Sequence, residues 1–280
     1  AGIGNFGVSV VQFVTPWIIG FVLVGTLAGE PQTFTRGGTQ SAIWLQNATL
    51  IYIPFIVVFG ILAWFMLRSV PVRAQFSEQM DIFKMKHAFF MTLLYIMTFG
   101  SFSGLSATFP LLIRQIYGGF PGAPDPLAFA FLGPLVGSVV RVIAGPVSDK
   151  LGGARVTHWS GLGLVACAIA VTFFTGPTSM ADFPYFVATM LGLFFFAGIG
   201  NASTFKQMPM LFPPRQAGGV IGWTGAMAAY GPFACGLMLG YSADWFGTFN
   251  AFFYWAAFFY AACTVINWWY YARKGAEAPC

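Results

Sequence analysis

Residues 127–147 read LAFAFLGPLVGSVVRVIAGPV, a run of apolar and small residues broken by a single charge, Arg141. About 20 such residues form a helix long enough to cross the hydrocarbon core of a bilayer. A guanidinium held near the middle of that core costs about 3 kcal/mol or more, so an arginine at this depth marks a functional site by default. The run contains no acidic residue that could neutralise it. The compensation must come from elsewhere, and a small anionic substrate is the first candidate. The competing reading has Arg141 capping backbone carbonyls at a helix break encouraged by Gly145-Pro146.

The rest of the chain has the same character. Its 280 residues are 58% hydrophobic and 8% charged, with a mean hydropathy of +0.75. That excludes a soluble domain and points to transmembrane helices. Apolar segments this long also exclude a β-barrel, whose strands are shorter and alternate. Eight spans are expected, at about 1–28, 49–68, 88–113, 127–148, 156–176, 183–208, 217–240 and 249–272, giving an all-α polytopic membrane protein. The chain opens at Ala1-Gly-Ile-Gly-Asn5 with no methionine and no basic leader, which suggests a fragment lacking an N-terminal part.

The charges set the orientation. Arg68, Arg73, Lys84, Lys86, Lys150, Arg155, Lys206, Arg215, Arg273 and Lys274 fall on one side of the eight spans, and only Arg36 and Arg114 on the other. Arg141 is the one basic residue left at depth. The first side is therefore expected to be cytoplasmic, the C-terminus included. The formal net charge of +5 follows this topology and does not signal nucleic acid. All eight acidic residues map to loops or span ends, so the visible membrane interior offers no intramembrane proton relay of the Asp/Glu kind. Cys167, Cys235, Cys263 and Cys280 lack CxxC spacing and read as packing residues. The connection at 69–87 carries Phe76, Met80 and Phe83 at helical spacing; it is either an interfacial helix or a solvated linker.

Arginine suits a planar oxyanion because its rigid fork donates two parallel hydrogen bonds. Arg141 lies about 5 Å from the centre of its span, at 1.5 Å per residue. Tyr95, Phe99 and Ser103 recur every four residues on one helical face, with Tyr95 at nearly the depth of Arg141. They either shape the anion site or simply pack. Dense small residues at 1–7, 197–202 and 218–231 allow close helix crossing or close approach to a small substrate. Lys206 is expected to snorkel to the cytoplasmic interface. His87 and His158 sit at span ends, too shallow for paired haem ligands. Asp149 either caps the helix that follows it or pairs with Arg155 as a latch that breaks during rocking.

Several of these runs carry a family resemblance. Gly145-Pro-Val-Ser-Asp149-Lys150-Leu-Gly152 resembles the cytoplasmic loop motif G-x-x-x-D-[RK]-x-G of the major facilitator superfamily. Ala1-Gly-Ile-Gly-Asn-Phe-Gly-Val-Ser-Val-Val-Gln12 resembles the first nitrate signature of the nitrate/nitrite porter (NarK-type) family. Gly222-Trp-Thr-Gly-Ala-Met-Ala-Ala-Tyr-Gly231 resembles the second. Ala197 to Phe205, Leu94 to Phe102 and Gly133 to Gly153 are also similar to this family.

The resemblance implies a major facilitator fold of which eight of twelve transmembrane helices are present, family helices five to twelve. Residues 1–68 would be the last two helices of the N-terminal bundle, 69–87 the central cytoplasmic linker and 88–280 the six-helix C-terminal bundle. By resemblance, Arg141 is the substrate-clamping arginine, and Tyr95 and Phe99 are pocket residues. Asn5 is the signature asparagine, and Gly222 and Gly225 line the site. A second clamping arginine belongs to a helix outside this chain. Pro232, after Tyr230-Gly231, departs from the small flexible residue expected there.

The implied function is nitrate and nitrite transport across the bacterial inner membrane, most simply antiport, with nitrate/proton symport as the alternative. The expected partners are the two anions and the lipid bilayer, in a monomer without nucleic acid, cofactor or metal. A haem-bearing or purely structural membrane subunit is the rival from another class.

Overall fold

The structure, a computed structural model, describes residues 2–22, 29–36, 39–68 and 80–280, and for 2–6, 34–36 and 39 the backbone alone. By packing, the chain divides into a smaller unit, Val10–Arg73, and a larger one formed by Ala1–Ser9 and Ala74–Cys280.

The first helix, α1, runs Gly2–Ile19 with Pro16 inside its last turn. Residues 23–28, the end of the expected first span, lie outside the described residues, as do 69–79 of the expected linker, with Phe76. The smaller unit then departs from the all-α expectation. Strands β1 (Gln32–Arg36) and β2 (Thr39–Ile43) form an antiparallel hairpin pairing Gln32 with Ile43 and Arg36 with Thr39. Three threonines, a phenylalanine and an isoleucine on the two strands supply the β preference. The hairpin is tied to the end of α1 by the Trp44 N–H, which donates to the Ile19 carbonyl at 2.6 Å. The Asn47 amide donates to the Phe21 carbonyl. Helices α2 (Asn47–Leu50) and α3 (Ile53–Met66) follow, and no residue of α3 is buried. A segment with a mean hydropathy of 2.3 and no buried face suits a lipid environment or helix neighbours.

The larger unit is a helical bundle. Helix α4 (Lys86–Tyr95) passes through a π turn at Ile96–Gly100 into α5 (Ser101–Tyr117), a 32-residue rod. The short α6 (Pro126–Ala130) is capped by Asp125, whose carboxylate accepts from the Leu127 N–H, and leads into α7 (Leu132–Leu151). Gly152, at φ +89°, makes the reversal into α8 (Gly153–Val171), a conformation that L side chains rarely adopt. Helices α9 (Phe183–Leu211), α10 (Pro214–Ala229), α11 (Gly231–Phe246) and α12 (Asn250–Asn267) complete the bundle, with a second π turn at Trp268–Ala272.

Among the described residues, six helices are long and apolar enough to cross a membrane: Asn47–Met66, Lys86–Tyr117, Pro126–Leu151, Gly153–Phe174, Met180–Leu211 and Asn250–Ala272. Two of the eight expected spans are missing from that set. The first is helical only as far as Ile19. The span expected at 217–240 is two 16-residue helices, α10 and α11, broken at Tyr230. Pro232 has no N–H to continue the backbone ladder, so the chain starts a new helix there.

Backbone contacts without side chains set the close crossings. A Cβ at Gly231 would overlap the Gly100 carbonyl oxygen, and one at Gly104 would lie 2.9 Å from the Gly231 oxygen. Such surfaces let helices approach in a medium where hydrophobic burial does not drive them together. Aromatics fill the centre: Phe109 packs on Phe186 and Phe194, and the Tyr117 hydroxyl donates to the Phe174 carbonyl at 2.7 Å. Near the C-terminus Glu277 pairs with Lys86 at 2.6 Å and with His87 at 3.4 Å. The Lys86 bond, foremost, holds the Glu277 carboxyl below its ordinary range.

Gly231→Ala is expected to lower the thermal stability of the detergent-solubilised protein by about 1–3 kcal/mol, the usual cost of overpacking. Gly145→Ala, where a Cβ meets nothing within 4 Å, is expected to leave it unchanged. Scanning fluorimetry of the two variants side by side is the check.

Candidate functional site

The site grows from the contact between α7 and α9. These helices run in the same direction: Gly133 meets Phe194, Gly137 meets Gly198, and Asp149 meets Lys206. The Gly137–Gly198 crossing is tight, since a Cβ on Gly198 would overlap the Gly137 carbonyl oxygen. One turn further along α7 is Arg141, 7% exposed.

Its guanidinium lies within electrostatic reach of the hydroxyl of Tyr95, which is 6% exposed, at the end of α4. Among the described residues no carboxylate pairs with Arg141 (the ion pairs involve Asp81, Asp149 and Glu277). Both competing compensations are therefore narrowed. The charge is met by a neutral phenol, and no hydrogen bond from Arg141 to a backbone carbonyl is present among the described bonds.

An aromatic shelf backs this pair. Tyr95 and Phe99 stack with ring centroids 5.3 Å apart and planes inclined by 16°. Phe99 continues to Phe102 at 6.5 Å, Phe102 meets Phe194 edge-on at 6.1 Å, and Phe205 closes on Tyr95 at 6.3 Å. The expected sharing of one face by Tyr95 and Phe99 is present, although the backbone between them is not α-helical. The π turn at Ile96–Gly100 inserts its extra residue there, and such turns concentrate at functional sites. Ser103, the third member of the expected stripe, gives its hydroxyl to the Gly100 carbonyl at 3.1 Å.

Other expected residues fall as follows. Gly222 and Gly225 lie on α10, with nothing within 4 Å of an added Cβ; Gly222 is exposed and Gly225 half-buried. Asn5 is in α1, its side chain outside the described residues. The Asp149–Arg155 latch is corrected: Asp149 pairs with Lys206 of α9, whose ammonium also reaches the Ser148 carbonyl at 3.4 Å. Nor does Asp149 cap α8, which has no side-chain cap. Geometry explains the exchange, because the parallel α7–α9 contact brings Lys206 to the end of α7. Lys206 is thus an ion-pair partner rather than a freely snorkelling side chain. His158 borders a separate groove of about 350 Å³ between α8 and α12, with Leu162, Thr264 and Trp268, and no site residue lines it.

Sequence reading did not single out Phe102, Phe194 or Phe205. It also missed two polar side chains beside the crossing, Ser138 and Asn201. Both are fully buried, and Ser138 Oγ, Asn201 Nδ2 and Asn201 Oδ1 have no hydrogen-bond partner. The available signal was a polar residue inside an apolar run; its partner status required the structure.

A buried arginine with no paired carboxylate among the described residues lies inside a bundle of long apolar helices, the make-up of a polytopic membrane protein. The fold agrees: a variant of the Escherichia coli fucose:proton symporter FucP superposes with a TM-score of 0.61 at 12% identity, over 80% of this chain and 56% of that one.

Sequence comparison is more specific. The chain is 65% identical to the "Probable nitrate/nitrite antiporter NarK2" of Thermus thermophilus, over 100% of its own length and 63% of the relative's. It is 32% identical to the "Nitrate/nitrite transporter NarU" of Escherichia coli, over 98% of this chain and 62% of that protein. No family model matches. Over essentially its whole length the chain is thus similar to proteins named as nitrate/nitrite porters. It spans less than two-thirds of the length of these relatives.

If Lys206 is the partner of Asp149 in the working cycle, Lys206→Met and Asp149→Asn should slow substrate uptake to a similar extent in the full-length protein. Arg155→Ala should leave it within about twofold of wild type, as surface charges usually contribute little. Initial uptake rates in proteoliposomes check this ordering.

Proposed function

We propose that the protein of which this chain is part moves nitrate and nitrite across the bacterial inner membrane by alternating access, as an antiporter. One observation carries the reading: Arg141 is buried at 7% exposure beside Tyr95, with no carboxylate paired to it among the described residues. A planar oxyanion supplies the missing charge, and the guanidinium fork matches two of its oxygens. The Tyr95–Phe99 stack gives that anion a flat, dry wall. In such a low-dielectric site each charge-assisted hydrogen bond is strengthened.

The names of the relatives supply the anions: a nitrate/nitrite antiporter and a nitrate/nitrite transporter. In this reading the chain holds eight of twelve helices, family helices five to twelve. The broken α10–α11 rod, both halves together, counts as one span. Residues 1–68 close the N-terminal bundle, 69–87 link the halves, and 88–280 form the C-terminal bundle with a cytoplasmic C-terminus. The molecule acts as a monomer in the lipid bilayer. A second arginine from the part of the fold outside this chain completes the clamp, with Asn5, Gly222 and Gly225 along the substrate path. Two arginines facing each other repel when empty, which disfavours return of the site without cargo. The Asp149–Lys206 pair, with Arg155 nearby in sequence, acts as a gate at one end of the bundle.

Reconstitution of the full-length protein tests the reading. Nitrate uptake should require internal nitrite or nitrate and ignore an imposed pH gradient; uptake driven by the gradient with no internal anion would establish proton symport instead. Arg141→Lys should cut uptake by roughly 30- to 150-fold, since an ammonium cannot reproduce the fork and a hydrogen bond to a charged group is worth about 2–3 kcal/mol. Near-normal uptake in that variant would remove Arg141 from the clamp.

A further inference from the structure

Asn201 is an asparagine in the middle of a 29-residue apolar helix, and it is 0% exposed. Neither its amide nitrogen nor its carbonyl oxygen has a partner. Burying an amide without hydrogen bonds costs roughly 2 kcal/mol or more. Ser138, 0% exposed on α7, carries the same burden at Oγ. Two orphaned polar side chains on adjoining helices call for a common ligand.

Their position says which. Asn201 stands three residues beyond Gly198, and Arg141 four beyond Gly137, so both lie one turn past the same backbone crossing, on parallel helices. Ser138 is three residues before Arg141 and shares its face. On α9, Asn201 shares a face with Phe194, seven residues earlier, and with Phe205, four later. Phe194 touches Phe102 and the α7 glycines, and Phe205 touches Tyr95. Asn201 is thus bracketed by the residues that back the Tyr95–Arg141 pair.

We infer that Asn201, assisted by Ser138, reads the third oxygen of the anion held by Arg141 and so discriminates nitrate from nitrite. The inference rests on the reading of Arg141 as the anion clamp. Nitrate and nitrite are both planar and singly charged. The fork of Arg141 takes two oxygens, which both anions possess. Only nitrate has a third. Asn201 Nδ2–H and Ser138 Oγ–H both donate to that oxygen, while Asn201 Oδ1 accepts from one of the guanidinium's remaining N–H groups. The two orphan donors gain an acceptor when nitrate is bound, and nitrite leaves them unsatisfied. A site built to hydrogen-bond a substrate atom rejects the analogue lacking it, because buried polar groups are left unpaired.

The test measures dissociation constants of nitrate and of nitrite by titration calorimetry on the full-length wild-type protein and two variants. Asn201→Leu keeps the side-chain size and removes both polar atoms; it should weaken nitrate by about tenfold and leave nitrite within about twofold. Ser138→Ala, a smaller change on another helix, should shift the same ratio in the same direction by about threefold. A general loss of packing would weaken both anions together. Equal weakening, or an unchanged ratio in both variants, would overturn the inference. If the wild type binds neither anion, the clamp reading itself fails, and the inference with it.

Discussion

A guanidinium in a low-dielectric interior with no carboxylate to meet it is the constraint on which the rest of this structure depends. Removing a charge from water is costly, and the cost is recovered only with good geometry and further hydrogen bonds. Among the described residues Arg141 has a phenol, not an anion, as its partner. The site is thereby left responsive to an anion. A resident carboxylate would have satisfied the arginine permanently and made it a structural element. A neutral hydroxyl orients the fork and leaves its charge unspent.

The surrounding construction serves that condition. The Gly137–Gly198 contact brings α7 and α9 together at backbone distance, which fixes the depth of Arg141 relative to α9. The π turn at Ile96–Gly100 shifts the helical phase between Tyr95 and Phe99, and their rings stack nearly parallel. The polar burden left on Ser138 and Asn201 lies beside the same crossing. Other buried polar side chains of the larger unit bond to the protein itself: Thr157 to Ser203 and Gln207, Thr98 to Thr204, and the Asn267 amide nitrogen to the Ala154 carbonyl.

Much of this was legible because membrane sequences state their exceptions openly. Arg141 stands out in residues 127–147 by composition alone, and the four-residue spacing of Tyr95 and Phe99 put them on one face. The hairpin at 32–43 was readable in its threonines and Gly37-Gly38, but its short strands sit between long apolar runs that dominated the span count. The break at Tyr230 was signalled by Gly231-Pro232, although a continuous hydropathy profile runs through it. The Asp149–Lys206 pair was not legible: the partners are 57 residues apart, and Arg155 is the nearer cation in sequence. The π turn has no sequence signature here. The isolation of Asn201 could not be seen either, since an asparagine in an apolar helix is equally consistent with a satisfied interhelical bond, as Asn267 demonstrates.

The central claim, that Arg141 exists to hold a planar anion, is tested most directly by an experimental structure of the full-length protein with nitrate bound. The account predicts density for the anion in the plane of the Arg141 fork, within hydrogen-bonding distance of the Tyr95 hydroxyl and against the Phe99 ring. Density for nitrate elsewhere in the transport path, with the Arg141 guanidinium turned onto backbone carbonyls near Gly145, would contradict it.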